Sequence, residues 1–230
     1  MTITLATTAT EATSAADPSD FSHIGGASPQ GCVVLIVHGV VSTDIVAGVT
    51  YGGVPMTRRQ TNTDTATEAG RTYIYTLGSG VPTGTQTLSV DKTEGTTTLH
   101  IVVLTLDAAG DLTFVDSDGI NENVANPTVT LQYGGQECMS FGALYWGGAT
   151  PPGATGIASG CTEIHNVDFV AFIAEEIRQT TAGTSDFTIG YTTLATDDVA
   201  FSAVALTDAA GAAATSLLYR PGMNQALLVR

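Results

Sequence analysis

Short apolar runs separated by glycine-, proline- and threonine-rich turns recur along most of the chain. The run Cys32–Val37 is uninterrupted and lies between Gly31 and Gly39, as expected of a strand that is covered on both faces. Residues 71–77 and 85–90 instead alternate between apolar and polar positions, which predicts strands with one buried face. Helix and strand patterns do not alternate along the chain, so a parallel α/β fold is not expected. These patterns predict an all-β protein, a sandwich or barrel of about ten antiparallel strands.

Two polar or mixed segments are harder to assign from their pattern. Arg58–Gly70 is rich in Thr and Asn and is interpreted as a long exposed loop. Val167–Gln179 fits both the apolar face of a helix and the alternation of a strand. Because the neighbouring segments are predicted strands, we favour a strand there.

The ends of the chain differ in composition from the middle. Residues 1–30 are predicted to form an extended N-terminal arm, residues 31–206 the β-sandwich, and residues 207–230 a linker and a C-terminal tail. The apolar tail either completes the protein's own sheet or adds a strand to a neighbouring subunit. The apolar residues of both ends are therefore candidate interface residues: Ile3, Leu5, Leu217, Leu218, Tyr219, Leu227, Leu228 and Val229.

Charge and cysteine content restrict the partners and the compartment. The chain carries 22 acidic against 7 basic residues, a formal net charge of −15, which disfavours nucleic acid and anionic membranes as partners. Three widely spaced cysteines do not form a disulfide framework, and Cys32 and Cys138 are predicted to be buried thiols. No signal peptide or membrane-spanning run is recognised. Assembly in a reducing cytoplasm is expected.

The candidate chemistry of the sequence is sparse. No G-x-S-x-G, Walker A or GxGxxG motif is present, and His38 and His100 are interpreted as satisfied histidines of the core or its rim. Cys161 and His165 have a spacing compatible with two zinc ligands but lack a second pair. An acidic loop is a possible calcium ligand set, although a solvated loop is the favoured interpretation; its residues are Asp107, Asp111, Asp116, Asp118 and Glu122. No catalytic residue, metal or cofactor is assigned.

The aromatic pair Tyr145 and Trp146 precedes a Gly/Pro/Ala-rich loop at 147–160. The only tryptophan of the chain at this position is either a sugar-stacking platform, a tryptophan at the edge of the core or a contact between subunits. We keep both residues as candidate interface residues.

Three stretches carry a resemblance to known proteins: Ala47–Thr57, Gly70–Gly78 and Pro82–Val90. A strand ending in Val-Thr-Tyr-Gly-Gly, an amphipathic strand with paired tyrosines and a Pro-Thr-Gly turn into an alternating strand resemble jelly-roll-type structural proteins of tailed bacteriophages. The resemblance implies a jelly-roll-like antiparallel β-sandwich. It covers the strand order of residues 31–206, while the arm and the tail have no counterpart.

The resemblance implies a non-enzymatic virion protein. The expected function is that of a capsid decoration or cement protein that binds the major capsid protein, as a homo-oligomer and preferably a trimer. The alternative is a receptor- or glycan-binding module of a head fibre or tail that uses the Tyr145/Trp146 region. An enzyme such as a polysaccharide depolymerase is disfavoured, because such enzymes are long and repetitive whereas this sequence shows no repeat.

Overall fold

The structure, a computed structural model, describes residues 3–39, 42–64, 69–95, 97–121, 123–147, 156–169, 172–192 and 194–210. The elements that lie entirely within these ranges are strands. The strands are β1 (Thr4–Leu5), β2 (Thr10–Ser14), β3 (Ser19–Ile24), β4 (Gly31–Gly39), β5 (Val46–Tyr51), β6 (Val54–Pro55), β7 (Thr57–Asp64), β8 (Gly70–Leu77), β9 (Thr85–Lys92), β10 (Leu99–Asp107), β11 (Leu112–Ile120), β12 (Asn123–Val124), β13 (Thr128–Leu131), β14 (Cys138–Trp146), β15 (Cys161–Asp168), β16 (Ile173–Gln179), β17 (Phe187–Gly190) and β18 (Asp197–Asp208).

The strands form two halves, each with one large and one small antiparallel sheet. The N-half (residues 4–107) has a large sheet in the order β2-β10-β4-β8-β7, with β1 also beside β10, and a small sheet β3-β9-β5-β6. The C-half (residues 112–208) has a large sheet β11-β18-β14-β16-β15, with β12 beside β18, and a small sheet β13-β17. The all-β prediction is therefore confirmed, with more strands than the ten expected.

The two halves share one strand order. In the N-half the large sheet runs from β2 through β10, β4 and β8 to β7. In the C-half it runs from β11 through β18, β14 and β16 to β15, so equivalent strands occupy the same places. In the small sheet, the third strand of the half pairs with the second-last, as β3 with β9 and β13 with β17. This is the sheet order of a jelly roll, an arrangement of two Greek keys. Within the described residues the C-half thus repeats the order of the large sheet and one strand pair of the small sheet, although no repeat is visible in the sequence.

Three apolar cores follow from the way alternate residues of a strand point to opposite faces. The N core lies inside the N-half and takes Cys32, Val34 and Ile36 from β4. The central core lies between the two large sheets and takes Val33, Leu35 and Val37 from the same strand. The C core lies inside the C-half. The prediction that Cys32–Val37 is covered on both faces is confirmed, since all six residues are buried.

The N-terminal segment is more ordered than the predicted arm. Strand β2 pairs with β10 over Thr10–Ser14, and β3 pairs with β9 over Ser19–Ile24. Both lie at sheet edges, where main-chain hydrogen bonds on one side suffice and few apolar side chains are needed. Ile3 is 1% exposed and belongs to the central core. The residues assigned to an arm therefore supply edge strands of the N-half.

Two further assignments are resolved by the structure. The prediction of an exposed loop over Arg58–Gly70 was wrong up to Asp64, because these residues belong to β7 and pair with β8. Residues 65–68 lie outside the described residues. The threonines of β7 suit a half-buried edge strand, and Asn62 Nδ2 donates a hydrogen bond of 2.7 Å to the carbonyl oxygen of Phe201 in the C-half. The preference for strand over helix near Val167–Gln179 is confirmed, since β15 and β16 occupy it.

Hydrogen exchange distinguishes edge strands from an arm. We expect the ladder amides of Thr10–Ser14 and Ser19–Ile24 to exchange orders of magnitude more slowly than those of an unstructured peptide, because their partners lie in the same chain. The measurement is amide exchange read by mass spectrometry at low protein concentration. Protection that appears only at high concentration would instead indicate ordering against a second subunit.

Candidate functional site

A cluster of four titratable side chains lies at one edge of the central core. Glu11 of β2 and His100 of β10 come from the N-half, and His165 of β15 and Glu176 of β16 come from the C-half. Their strands lie at or next to the edges of the two large sheets. We call these four residues the His–Glu cluster.

The alternation of β10 and β16 brings His100 to Glu176. His100 shares its strand face with Val102 and Leu104, which pack in the central core, and Glu176 shares its face with Ala174 of the same core. Both side chains are 0% exposed, and Nε2 of His100 lies 3.1 Å from Oε2 of Glu176. The pair is therefore a buried contact between the two halves.

A β-bulge sets the direction of His165. The register of β15 against β16 shifts between Glu163 and His165, which leaves Ile164 as the extra residue. Bulges re-aim side chains and are common beside functional sites. Ile164 packs against the central core, and the ring of His165 lies 5.1 Å from the ring of His100 between centroids. On its other side, Nε2 of His165 contacts Oε2 of Glu11.

The electrostatics of the cluster combine burial with opposing charges. Burial alone would lower the pKa of His100, but the charge and hydrogen bond of Glu176 and the charge of Glu11 raise it above its usual value. Three buried polar atoms have no hydrogen-bond partner within the described residues: Nδ1 of His100, Nδ1 of His165 and Oε1 of Glu176. An unpaired buried polar atom costs free energy, so the cluster retains unused ligand and hydrogen-bonding capacity.

Glu175 occupies the opposite face of β16 and is separate from the cluster. It is 0% exposed and lies on the C-core side, where Nδ2 of Asn166 donates a long hydrogen bond of 3.4 Å to it. Burial, followed by the negative charges of Glu163 and Glu176, raises the pKa of Glu175 to about 9. The folded protein therefore holds this carboxyl in its neutral form at pH 7.

The structure places the aromatic candidates inside the protein. Tyr145 is 1% exposed and packs in the central core, whereas Trp146 is 5% exposed and packs in the C core. Trp146 is therefore a residue of the C core, and its buried ring does not support an open sugar-stacking platform. Adjacent residues of a strand point to opposite faces, so the two rings cannot form one surface.

Two of the eight apolar end residues, Ile3 and Leu5, lie within the described residues. Ile3 is buried, and Leu5 is half-buried along a surface groove that Arg178 of β16 also lines. The other six predicted interface residues lie outside the described residues: Leu217, Leu218, Tyr219, Leu227, Leu228 and Val229.

The ligand sets considered from the sequence are arranged differently. His165 groups with Glu11 and His100, whereas Cys161 packs against the C core. Asp116 and Asp118 lie on β11 and not in a loop, and Asp116 Oδ2 accepts a hydrogen bond of 2.7 Å from the backbone N–H of Gln132. Within the described ranges the acidic residues of 107–118 do not converge on a common point, and Glu122 lies outside those ranges.

Sequence reasoning missed Glu11, Glu175 and Glu176. Glu11 was assigned to the arm, and the two adjacent acids were included in an ambiguous segment. One available signal is the sequence Ile173-Ala-Glu-Glu-Ile177: two consecutive acids inside a strand with apolar residues on both faces must bury at least one carboxyl.

No helix among the described residues is long and apolar enough to span a membrane. Comparison of the chain with protein families, with curated proteins and with solved structures found no match.

Proposed function

We propose that the protein is a structural component of a tailed-bacteriophage virion that decorates the capsid. In this role it binds the major capsid protein as a homo-oligomer on the outer surface of the shell, after synthesis in the host cytoplasm. A protein that binds only the assembled shell stabilises that shell by mass action and needs no catalytic residue.

One observation carries the proposal. The three stretches that resemble structural proteins of tailed phages, Ala47–Thr57, Gly70–Gly78 and Pro82–Val90, all lie in the jelly-roll-like N-half. Tyr51 ends β5, and Gly52 and Gly53 have φ angles of 56° and 78° in the turn to β6. A two-residue turn of this kind needs positive φ at both positions, which glycine adopts without strain. Tyr73 and Tyr75 lie on one face of β8 and pack in the N core. The resemblance therefore rests on residues that form a turn and the core of this half of the fold.

The packing of the two halves supports a mechanical role. The central core runs between the large sheets of both halves, and polar contacts cross it, including one of 2.8 Å between the hydroxyls of Thr72 and Ser202. Two sandwiches joined over their sheet faces resist bending better than two units on a flexible linker. The net charge of −15 keeps such a protein soluble and away from packaged DNA.

The alternative of a glycan-binding module loses its main support. It was based on Tyr145 and Trp146 as an exposed contact, and both side chains are buried. Of the large apolar side chains that the structure describes, only Ile24 is strongly exposed, at 65%. An apolar anchor on the capsid must therefore come from elsewhere, and the sequence offers the apolar residues near Leu227 and Leu228.

Binding to purified capsids that lack the protein tests the proposal. We expect the full-length protein to saturate such shells with hundreds of copies and to raise the temperature at which they rupture. The double substitution Leu227→Ser/Leu228→Ser is expected to weaken binding at least about tenfold, because each buried leucine contributes roughly 1.5–3 kcal/mol. Ile24→Ser, which removes an exposed apolar residue in the N-half, is the matched control and should bind like the wild type.

Two outcomes would contradict the proposal. If the wild-type protein does not bind shells at all, a decoration function is lost. If purified virions contain only a few copies, measured by quantitative mass spectrometry, the protein belongs to a fibre, vertex or tail instead.

A further inference from the structure

We propose that Glu11, His100 and His165 bind one divalent transition-metal ion, and that zinc suits this donor set best. One ligand atom from each residue lies within 4.8 Å of the other two. Atoms that share a tetrahedral zinc ion at 2.0–2.1 Å lie about 3.3 Å apart, so small side-chain rotations would complete the site. This inference goes beyond the proposed virion function and does not depend on it.

The buried atoms of the cluster indicate which groups are free to bind an ion. Glu176 lies at hydrogen-bond distance from Nε2 of His100, which leaves Nδ1 of that buried ring without a partner among the described residues. A carboxylate that holds the far nitrogen of an imidazole is the usual second partner of a metal-bound histidine, because it fixes the ring and makes the ligating nitrogen more basic. Glu176 is therefore assigned a positioning role, and His100 a ligand role.

The donor set decides the class of metal. Two imidazoles with one carboxylate suit zinc and neighbouring transition metals, whereas calcium and magnesium prefer oxygen ligands only. Three protein ligands also leave a fourth position for water or for a group from a partner. Glu11 is the exposed member of the group and His165 is partly exposed, so the ion has a route in from solvent.

The site would join the two halves at the edge of the central core. Glu11 and His100 lie on β2 and β10 of the N-half, and His165 lies on β15 of the C-half. A bound ion would fasten the edge strand β2, which is held by pairing with β10, to the bulged edge strand of the other half. The bulge at Ile164 would then contribute to the metal site, because it turns His165 toward the two N-half ligands.

Zinc titration of the chelator-treated full-length protein tests the site. We expect saturable binding of one zinc ion per chain by calorimetry and a rise in the melting temperature with zinc concentration. Cobalt(II) should give the visible absorption of a four- or five-coordinate ion. Glu11→Gln and His165→Gln should each weaken zinc affinity at least about tenfold and reduce the rise in melting temperature at a given zinc concentration.

The control variant Asp118→Asn loses one carboxylate charge, as Glu11→Gln does, but away from the His–Glu cluster. Asp118 lies exposed on β11, at the edge of the C-half sheet opposite β15, so Asp118→Asn should bind zinc like the wild type. The side chain of Glu11 is 51% exposed, and its substitution is expected to leave the far-ultraviolet circular dichroism unchanged. The inference is overturned if zinc does not bind at one ion per chain, or if Glu11→Gln and His165→Gln bind it as tightly as Asp118→Asn does. The capsid-binding assay reports on the proposed function separately.

Discussion

Replacing Trp146 with alanine is expected to lower the free energy of unfolding by about 3–5 kcal/mol, the range for removing a large aromatic side chain from a core. The indole is 5% exposed, and in the sheet Trp146 stands between Ile173 of β16 and Val199 of β18. All three residues pack in the C core, so truncation leaves a cavity that the rigid sheet cannot close. Urea unfolding followed by circular dichroism measures the loss.

The substitution Trp146→Phe is the matched control, because it keeps an aromatic ring and should lose clearly less stability. A surface platform for sugars would behave differently: Trp146→Ala would remove glycan binding and change the unfolding free energy by less than about 0.5 kcal/mol. A small stability change would therefore contradict the burial of this residue and reopen the glycan-binding alternative.

Apolar strands with both faces covered were the part of the fold that could be predicted well. Cys32–Val37 is recognisable because the large sheet of the N-half packs on two sides, so both faces of its central strand β4 are buried there by apolar residues. Edge strands carry no such signal. Residues 10–14 and 57–64 are polar or half-buried and are held by main-chain pairing, which side-chain patterns do not reveal.

The duplicated topology was hidden for a related reason. A jelly roll requires strands of suitable length and alternation but few particular residues, so two copies need not resemble each other in sequence. The Tyr51–Gly53 turn of the N-half precedes β7, whereas the corresponding stretch of the C-half, at 147–160, is rich in Gly, Pro and Ala. Only the order of pairing, read from the structure, relates the halves.

The His–Glu cluster could not be assembled from sequence spacing. His100 and Glu176 are 76 residues apart, and they meet only because the two large sheets pack face to face. His165 reaches them through a bulge that shifts the alternation of β15 by one residue. A strictly alternating strand would place Glu163 and His165 on the same face. The interpretation of His100 as a core histidine was correct about its burial and did not anticipate its partners.

Replacing Glu175 with glutamine is expected to stabilise the protein increasingly as pH rises. The folded-state pKa of Glu175 is raised to about 9 by burial and by Glu163 and Glu176, against an ordinary value of 4.5. Between these values the folded state keeps a proton that the unfolded state releases, so rising pH favours unfolding. The slope from this group is at most about 1.4 kcal/mol per pH unit. Glutamine keeps the shape of the neutral carboxyl and has no such slope.

Chemical denaturation of wild type and Glu175→Gln at several pH values, with a metal chelator present, measures the effect. The two proteins should be similar in stability near pH 4 and diverge steadily toward pH 9, with the variant more stable by more than about 1 kcal/mol at pH 8. Subtracting the two curves removes the contribution of His100, which is common to both proteins. The control Glu137→Gln changes a half-exposed acid that belongs neither to the His–Glu cluster nor to the contacts of Glu175. It should follow the wild-type curve. A difference between Glu175→Gln and wild type that is constant across pH would show that Glu175 is ionised in the folded protein, which would require a cation or solvent beside it that burial in the C-half otherwise excludes.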